Sequence, residues 1–352
     1  MELLKKTISA IKPLDEKAMA QARERQDQLT KPQGALGRLE AISIQLAGIQ
    51  GKAIPVVKDK AIITMAGDHG ILEEKIHNWP QEVTVQMVYN FLSGGAAINV
   101  LSRQVGARVV VVDMGVASPL KIDPKLVSRK VALGTKNMAR GPAMTREQAV
   151  QAIESGIDIV NTEAGRGLDI VGTGDMGLGN TSASAAICAV MTGKTVPQVT
   201  GRGTGISDEQ LAKKIAAIER AIEVNRPNPA DPLDVLAKVG GFEIGGLVGV
   251  MLGAAAHRVP VVIDGFISGA AALIAVGLAP QVKDYLFAAH LSVEPGHRIL
   301  LDKLGLEPLI CMDMRLGEGT GAALAISLIE AAARILSEMA TFAEAGVAEK
   351  ES

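Results

Sequence analysis

The chain has 352 residues, enough for one large domain or two modest ones. Its 36 Lys and Arg nearly balance 38 Asp and Glu, for a net charge of −2, which argues against a nucleic-acid binder relying on a basic face. Aromatic residues are only 2%, too few for base-stacking platforms, and the 38 glycines exceed the usual share of about 7% and fall in clusters.

The first residues, MELLKKTISAIKPLDEKAMA, are amphipathic and mixed in charge, without the apolar core and cleavage site of a secretory signal. Residues 1–50 carry helical spacing and no strand signal. Six apolar runs then read as buried parallel strands: Ala61–Ala66, Arg108–Asp113, Asp169–Gly172, Val259–Ile263, Tyr285–Ala289 and Pro308–Met312. Helical periodicity fills much of the rest, over Glu82–Leu101, Arg146–Glu163, Ser182–Met191, Asp208–Asn225 and Gly321–Ala340. The alternation predicts an α/β fold: an open, mainly parallel six-stranded Rossmann-like sheet with helices on both faces. The two ends, residues 1–50 and 322–352, are expected to pack as a small helical subdomain on a large α/β domain, 51–321. Gly265–Val282 is apolar but broken by Gly269, Gly277 and Pro280, so it does not read as a membrane span. Cys188 and Cys311 each lie in an apolar run and are expected as buried thiols, with a reducing cytoplasm as the default compartment.

Much of the polar, glycine-rich punctuation falls at the carboxyl ends of these runs, where open α/β sheets bind ligands. Gly172-x-Gly174-x-x-Gly177 has the form of a dinucleotide fingerprint, but residues 190–206 supply no Asp or Glu to hold a ribose. A phosphate or mononucleotide reading fits better. Asn180, Thr181 and Ser182 are expected to cap the next helix, whose first amides would attract an anion. Gly193-Lys194-Thr195 resembles the end of a P-loop, yet Cys188 stands where its first glycine belongs. Asp113, Asp264 and Asp313 each end an apolar run without an acidic neighbour, which disfavours a metal-dependent pyrophosphate donor. The five His show no metal-ligand spacing, and Asp68-His69 reads as a turn pair before it reads as a dyad.

Glu318 lies between Gly317 and Gly319, after an apolar run and before an apolar helix. A carboxylate there is either a desolvated general base or a helix N-terminal acid that complements the macrodipole. Both readings stay open on the residues alone.

Eight stretches, in order and spread over nearly the whole chain, carry a resemblance. They are KPQGALGRLE (31–40), AGDHG (66–70), GGAAINVL (94–101), GPAM (141–144), GDMGLGNTS (174–182), NPADPLDVLAKVGGFEIGG (228–246), DGFISGAA (264–271) and MRLGEGTGAAL (314–324). With them the chain resembles the nicotinate-nucleotide–dimethylbenzimidazole phosphoribosyltransferase family. The resemblance implies transfer of phosphoribose from nicotinate mononucleotide to an aromatic base, with inversion to an α-glycosidic product and release of nicotinate. No cofactor and no metal is implied, because the pyridinium leaves without a general acid and no pyrophosphate departs.

It also implies roles. Glu318 is the base that takes the acceptor's proton, and Asp175 is a second acid where the family usually has Glu. The phosphate is expected among the amides of Gly177, Gly179, Asn180, Thr181 and Gly203, with Lys214 and Ser292 as further contacts. Asp264 and Ser268 are expected on the ribose or base side. Trp79, Met87, Gly174, Met176, Arg315 and Leu316 are expected to complete the substrate site. The sole Trp, in His77-Asn78-Trp79-Pro80, departs from the family and bears on the acceptor. A benzimidazole is expected there; a phenol or p-cresol is the second possibility, acting with a paralogous subunit. A non-catalytic nucleotide-binding subunit and a dinucleotide oxidoreductase are competing readings from different classes. The family resemblance implies a dimer, either a homodimer or a heterodimer with a paralogue; composition and hydropathy give no expectation of a nucleic-acid or membrane partner.

Overall fold

The computed structural model describes residues 1–348; residues 349–352 of the expected helical end lie outside them. Six strands form one parallel sheet: β1 (Lys60–Gly67), β2 (Ala107–Gly115), β3 (Leu126–Ser128), β4 (Ile170–Met176), β5 (Val261–Ile263) and β6 (Leu286–Ala288). The order across the sheet is β3-β2-β1-β4-β5-β6. This order reverses between β1 and β4, so the crevice past their carboxyl ends is the expected ligand position. Helices cover both faces. The helix Phe242–Ala256 lies against β1, β2 and β4, and Thr320–Glu338 lies against β4 and β5.

Two sequence expectations need correction. Pro308–Met312 is not a strand: it makes a single bridge, Ile310 to His290. The sixth strand is β3, a short and half-exposed edge in a charged segment that shows no apolar run. Also, β4 runs past Gly172, the end of the expected strand, and on through Gly174 to Met176. Neither glycine serves a turn. A Cβ on Gly172 would lie 2.4 Å from Ile62 Cδ1, and one on Gly174 would lie 2.2 Å from the Glu318 carbonyl. They are strand glycines that admit close neighbours.

The expected helix Glu82–Leu101 is two helices, Glu82–Ser93 and Ala97–Val105. Gly94, at φ 82°, closes the first in the left-handed conformation that favours glycine. This break creates a helix N-terminus at the exposed Ala97, with Ile98 buried just after it.

Behind the sheet, Arg146–Ala164 crosses Phe242–Ala256 at glycines. A Cβ on Gly156 would lie 2.0 Å from the Gly246 carbonyl, and one on Gly249 would lie 1.9 Å from that of Ile153. Only bare backbone allows this spacing.

The chain ends meet. Ala22, Ala47 and Leu336 form a small cluster of their own, Leu29 bridges Thr341, and Arg25 Nε donates to the Leu336 carbonyl at 2.7 Å. Arg38 ties this region to the segment after β6 through the carbonyls of Pro308 and Glu307, at 2.7 and 2.8 Å. The first helix, Glu2–Ala10, packs elsewhere, on Arg146–Ala164 and Phe242–Ala256. Thr320–Glu338 is the one described helix long and apolar enough to cross a bilayer by length and composition, and 56% of its apolar window is buried in the fold. Cys188 is buried as expected, and burial pushes its thiol up to about 12. Cys311 is exposed, because the segment around it does not join the sheet.

Candidate active site

The crevice between β1 and β4 is walled by backbone. A Cβ on Gly177 would lie 1.9 Å from the Gly67 carbonyl, so only glycine lets the two strand ends meet. Past them lies a cavity of about 110 Å³. Asp175, Met176, Gly177, Gly179, Asn180 and Thr181 line it from β4 and the helix Asn180–Thr192. Gly203, Ser292, Arg315 and Leu316 close it from three loops. Ten residues singled out from sequence therefore meet in one place.

Acids gather at one end. The main chain at Gly317, Glu318 and Gly319 has φ of 84°, 65° and 97°. A left-handed glutamate between two left-handed glycines is a strained arrangement of the kind that accumulates at functional sites. The Glu318 amide donates to the Asp175 carbonyl at 3.1 Å, and Thr64 Oγ1 donates to the Glu318 carbonyl at 2.9 Å. Glu318 is 4% exposed, and its Oε2 accepts the Ile98 amide at 3.1 Å, at the helix start created by the Gly94 break. Burial raises the Glu318 pKa above the ordinary carboxylate value, and the Ile98 bond opposes this only in part. The carboxylate stands behind the Gly317 wall of the cavity and faces the Ala97–Val105 helix.

Asp175 is buried too. Oδ2 accepts Asn180 Nδ2 at 2.9 Å, and Oδ1 has no partner among the described residues. Burial, then the nearby charges of Asp264 and Glu243, push its pKa well up. Asp264 receives the amides of Gly319 and Ala322, each at 3.1 Å, and so caps the helix Thr320–Glu338. Burial nevertheless pushes its pKa up to about 7. Ser268 turns into the core, at 2.9 Å from Thr173 Oγ1, and does not line the cavity.

The other end brings together two cations, Lys214 and Arg315, and the Glu294 carboxylate. Lys214 Nζ donates to Thr181 Oγ1 at 2.9 Å and to the Gly201 carbonyl at 3.1 Å. Burial lowers its pKa to about 8, against the pull of Glu294. Arg315 Nη1 donates to the Gly203 carbonyl at 2.8 Å and steadies that loop. The expected side-chain cap of the next helix is absent: Gly179, at φ 93°, takes that position. Asn180 and Thr181 are committed to Asp175 and Lys214 instead.

Two expected residues lie apart. Trp79 is 55% exposed and borders a second cavity of about 430 Å³, with Asp68, His69 and Thr135. Met87 is half-buried on the helix Glu82–Ser93 and borders neither cavity. Asp68 and His69 do not pair. Asp68 accepts Thr84 Oγ1 and the Ala117 amide, at 2.7 and 2.8 Å. His69 Nε2 lies 2.6 Å from Glu243 Oε1, and both side chains are buried. Burial disfavours the imidazolium, but the Glu243 charge and hydrogen bond raise the His69 pKa overall.

Sequence reasoning missed Glu243, His290 and Glu294. Glu243 stands inside one of the eight family-like stretches, with no local pattern that attaches chemistry to it. His290 and Glu294 line the cavity, and their sole signal is position, just after a strand. His290 Nε2 lies 3.8 Å from Asp264 Oδ1, wedged where a Cβ on Gly321 would sit 2.1 Å from its ring. Burial pushes its pKa down, and that of His297 down to about 3; His297 Nδ1 accepts the Ser292 amide at 2.8 Å. Among the described residues, no three His, Cys, Asp or Glu side chains are grouped to hold a metal ion.

Sheet order and cavity together define a Rossmann-like α/β protein with a glycine-walled site at its topological switch point. Residues 11–347 match the family model described as phosphoribosyltransferase. The chain is 67% identical over 352 residues to the nicotinate-nucleotide–dimethylbenzimidazole phosphoribosyltransferase of Dehalococcoides mccartyi, covering 100% of both chains. It is 62% identical over 349 residues to the protein of that name from Desulforudis audaxviator, covering 99% of each. The crystal structure of the Thermus thermophilus protein of that name superposes with a TM-score of 0.91 at 46% identity, over 96% of this chain and 100% of that one. The chain belongs to this phosphoribosyltransferase family. The matches lend no support to the phenolic, non-catalytic or oxidoreductase readings.

Proposed function

We propose that the chain transfers the 5-phosphoribosyl group of nicotinate mononucleotide to 5,6-dimethylbenzimidazole and releases nicotinate. The carrying observation is the polarity of the site, with a buried ammonium and loop amides at one end and the Asp175–Glu318 pair at the other. In this reading the donor's phosphate sits by Lys214, Thr181, Gly203 and Ser292. Its ribose then lies along Met176 and Gly177, with C1′ toward Asp175.

One ring nitrogen of the acceptor attacks C1′ from the face opposite the pyridinium. The C1′–N bond breaks, and its electron pair returns to the pyridine nitrogen. The acceptor's other ring nitrogen loses its proton to Glu318. Burial suits Glu318 to this, since a carboxylate of raised pKa is a stronger base. Asp175 and Asp264 lie on the side of the developing oxocarbenium ion, whose positive charge favours their ionised forms. Trp79 and Met87, set apart from the cavity that takes the donor, are assigned to the acceptor side in this reading. A small helical unit from both chain ends on a large α/β unit, assembly as a dimer and a cytoplasmic location belong to it too.

The test is incubation of the purified chain with nicotinate mononucleotide and a panel of acceptors: 5,6-dimethylbenzimidazole, adenine, phenol and p-cresol. Mass spectrometry should find the benzimidazole α-ribotide as the main product. A preference for phenol or p-cresol would overturn the acceptor assignment. No product with any acceptor would overturn the function.

A further inference from the structure

Glu294 precedes the helix Pro295–Leu304 but does not cap it with its side chain. The carboxylate turns away instead, and Oε1 accepts the Gly203 amide at 2.8 Å. Its other oxygen, Oε2, is buried with no hydrogen-bond partner among the described residues. That oxygen presses on Gly201 so closely that a Cβ there would lie 2.2 Å away. Glu294 is 7% exposed, lines the cavity, and acts electrostatically on Lys214. A protein anion thus occupies the amide and faces the ammonium that the proposed function gives to a phosphate.

We propose that Glu294 is a built-in competitor for the substrate phosphate: it holds the Gly203 amide and yields it when the phosphate binds. This rests on the assignment of the phosphate to Lys214 and Gly203. Two anions cannot share one amide hydrogen, and in a buried site their repulsion is weakly screened. The phosphate therefore binds less tightly than its donors alone would allow, because the competent arrangement must first displace the carboxylate. Such tempering has a chemical reason. The 5′-phosphate is retained in the product, so its binding energy is felt equally by donor, transition state and product. Tight anchoring would not speed the chemical step and would hold the product back.

The experiment is calorimetric titration with inorganic phosphate, nicotinate mononucleotide and nicotinate riboside. The proteins are the full chain and its Glu294→Gln, Glu294→Ala and Lys214→Ala variants, each checked for wild-type melting behaviour. Both Glu294 variants should bind inorganic phosphate and the mononucleotide about tenfold tighter, the scale of one charge-assisted hydrogen bond. Binding of the riboside, which has no phosphate, should not change. Inhibition by the product should tighten in parallel. Unchanged or weaker phosphate binding in both variants would overturn the competition and leave Glu294 a loop brace. Undiminished phosphate binding by Lys214→Ala would remove the phosphate site itself, and the competition with it. If the Glu294 variants fold poorly, a crystal structure of the wild-type complex decides. The proposal expects Oε1 beyond hydrogen-bond reach of the Gly203 amide, and an intact bond beside a bound phosphate overturns it.

Discussion

The amide of Glu318 donates to the carbonyl of Asp175 across 3.1 Å, so the two acids are joined through backbone rather than through their side chains. Their separation is fixed by main chain that cannot swing, while each carboxyl stays free to titrate.

Glu318→Gln is therefore expected to preserve the loop and remove the base. Turnover should fall by about 10²–10⁴-fold, the usual contribution of a positioned general base. Affinity for nicotinate mononucleotide should hold within about twofold. Steady-state rates with calorimetric binding check both. In the wild type, kcat/KM should fall on the acid side through a pKa above the ordinary carboxylate value, because burial raises that of Glu318.

Lys214 sets the alkaline side. Its pKa is lowered to about 8, so the ammonium is present below that pH and lost above it. KM for the mononucleotide should rise as pH passes through about 8, while kcat changes little. Lys214→Ala should raise KM about 10–100-fold at neutral pH and abolish that pH dependence. A KM-against-pH series on both proteins is the measurement.

Gly177→Ala should be among the most damaging single-methyl changes. The added Cβ would meet the Gly67 carbonyl at 1.9 Å, so β1 and β4 must part. A loss of about 3 kcal/mol or more is expected, in the upper range for overpacking. Gly193→Ala is the control. Nothing lies within 4 Å of its Cβ, and its only strain is a φ of 70°. It should cost about 1 kcal/mol. Urea denaturation of the two variants separates steric contact from backbone conformation.

His297 should make the fold sensitive to acid. Its folded pKa is lowered to about 3, because burial disfavours the charged ring and the nearby charges of His290 and Arg298 add to this. The unfolded ring binds a proton near pH 6.5, so this contribution is intact above that pH and is lost as pH falls toward 3. By pH 4 the loss should reach about 3 kcal/mol. His297→Asn, which offers an acceptor but does not titrate, should flatten the acid limb of a stability-against-pH profile.

The α/β alternation and the carboxyl-end site were legible because buried strands read as apolar runs and glycines mark close backbone. Ten of the residues picked from sequence line one cavity. β3 was not legible, since a short half-exposed edge needs no apolar run. The failure at Pro308–Met312 is the converse: an apolar segment packed beside β6 without a ladder of its own. The end of β4 was drawn short because glycine serves both turns and close approach, and at Gly174 only the neighbouring Glu318 carbonyl distinguishes them. The Ile98 amide was invisible for a related reason, as it depends on where a helix restarts. Glu243 and Glu294 carried no local pattern. Their partners, His69 and Gly203, come from distant parts of the chain.

Replacing helical glycine with alanine is a common route to a more heat-resistant protein. The crossing of Arg146–Ala164 with Phe242–Ala256 closes that route at Gly156 and Gly249, where a methyl would overlap carbonyl oxygens. The second helix also carries Glu243 at its start, so sliding apart at the crossing would draw that carboxylate off His69. An engineer raising the melting temperature should work on the outer faces of this pair and leave its seam bare.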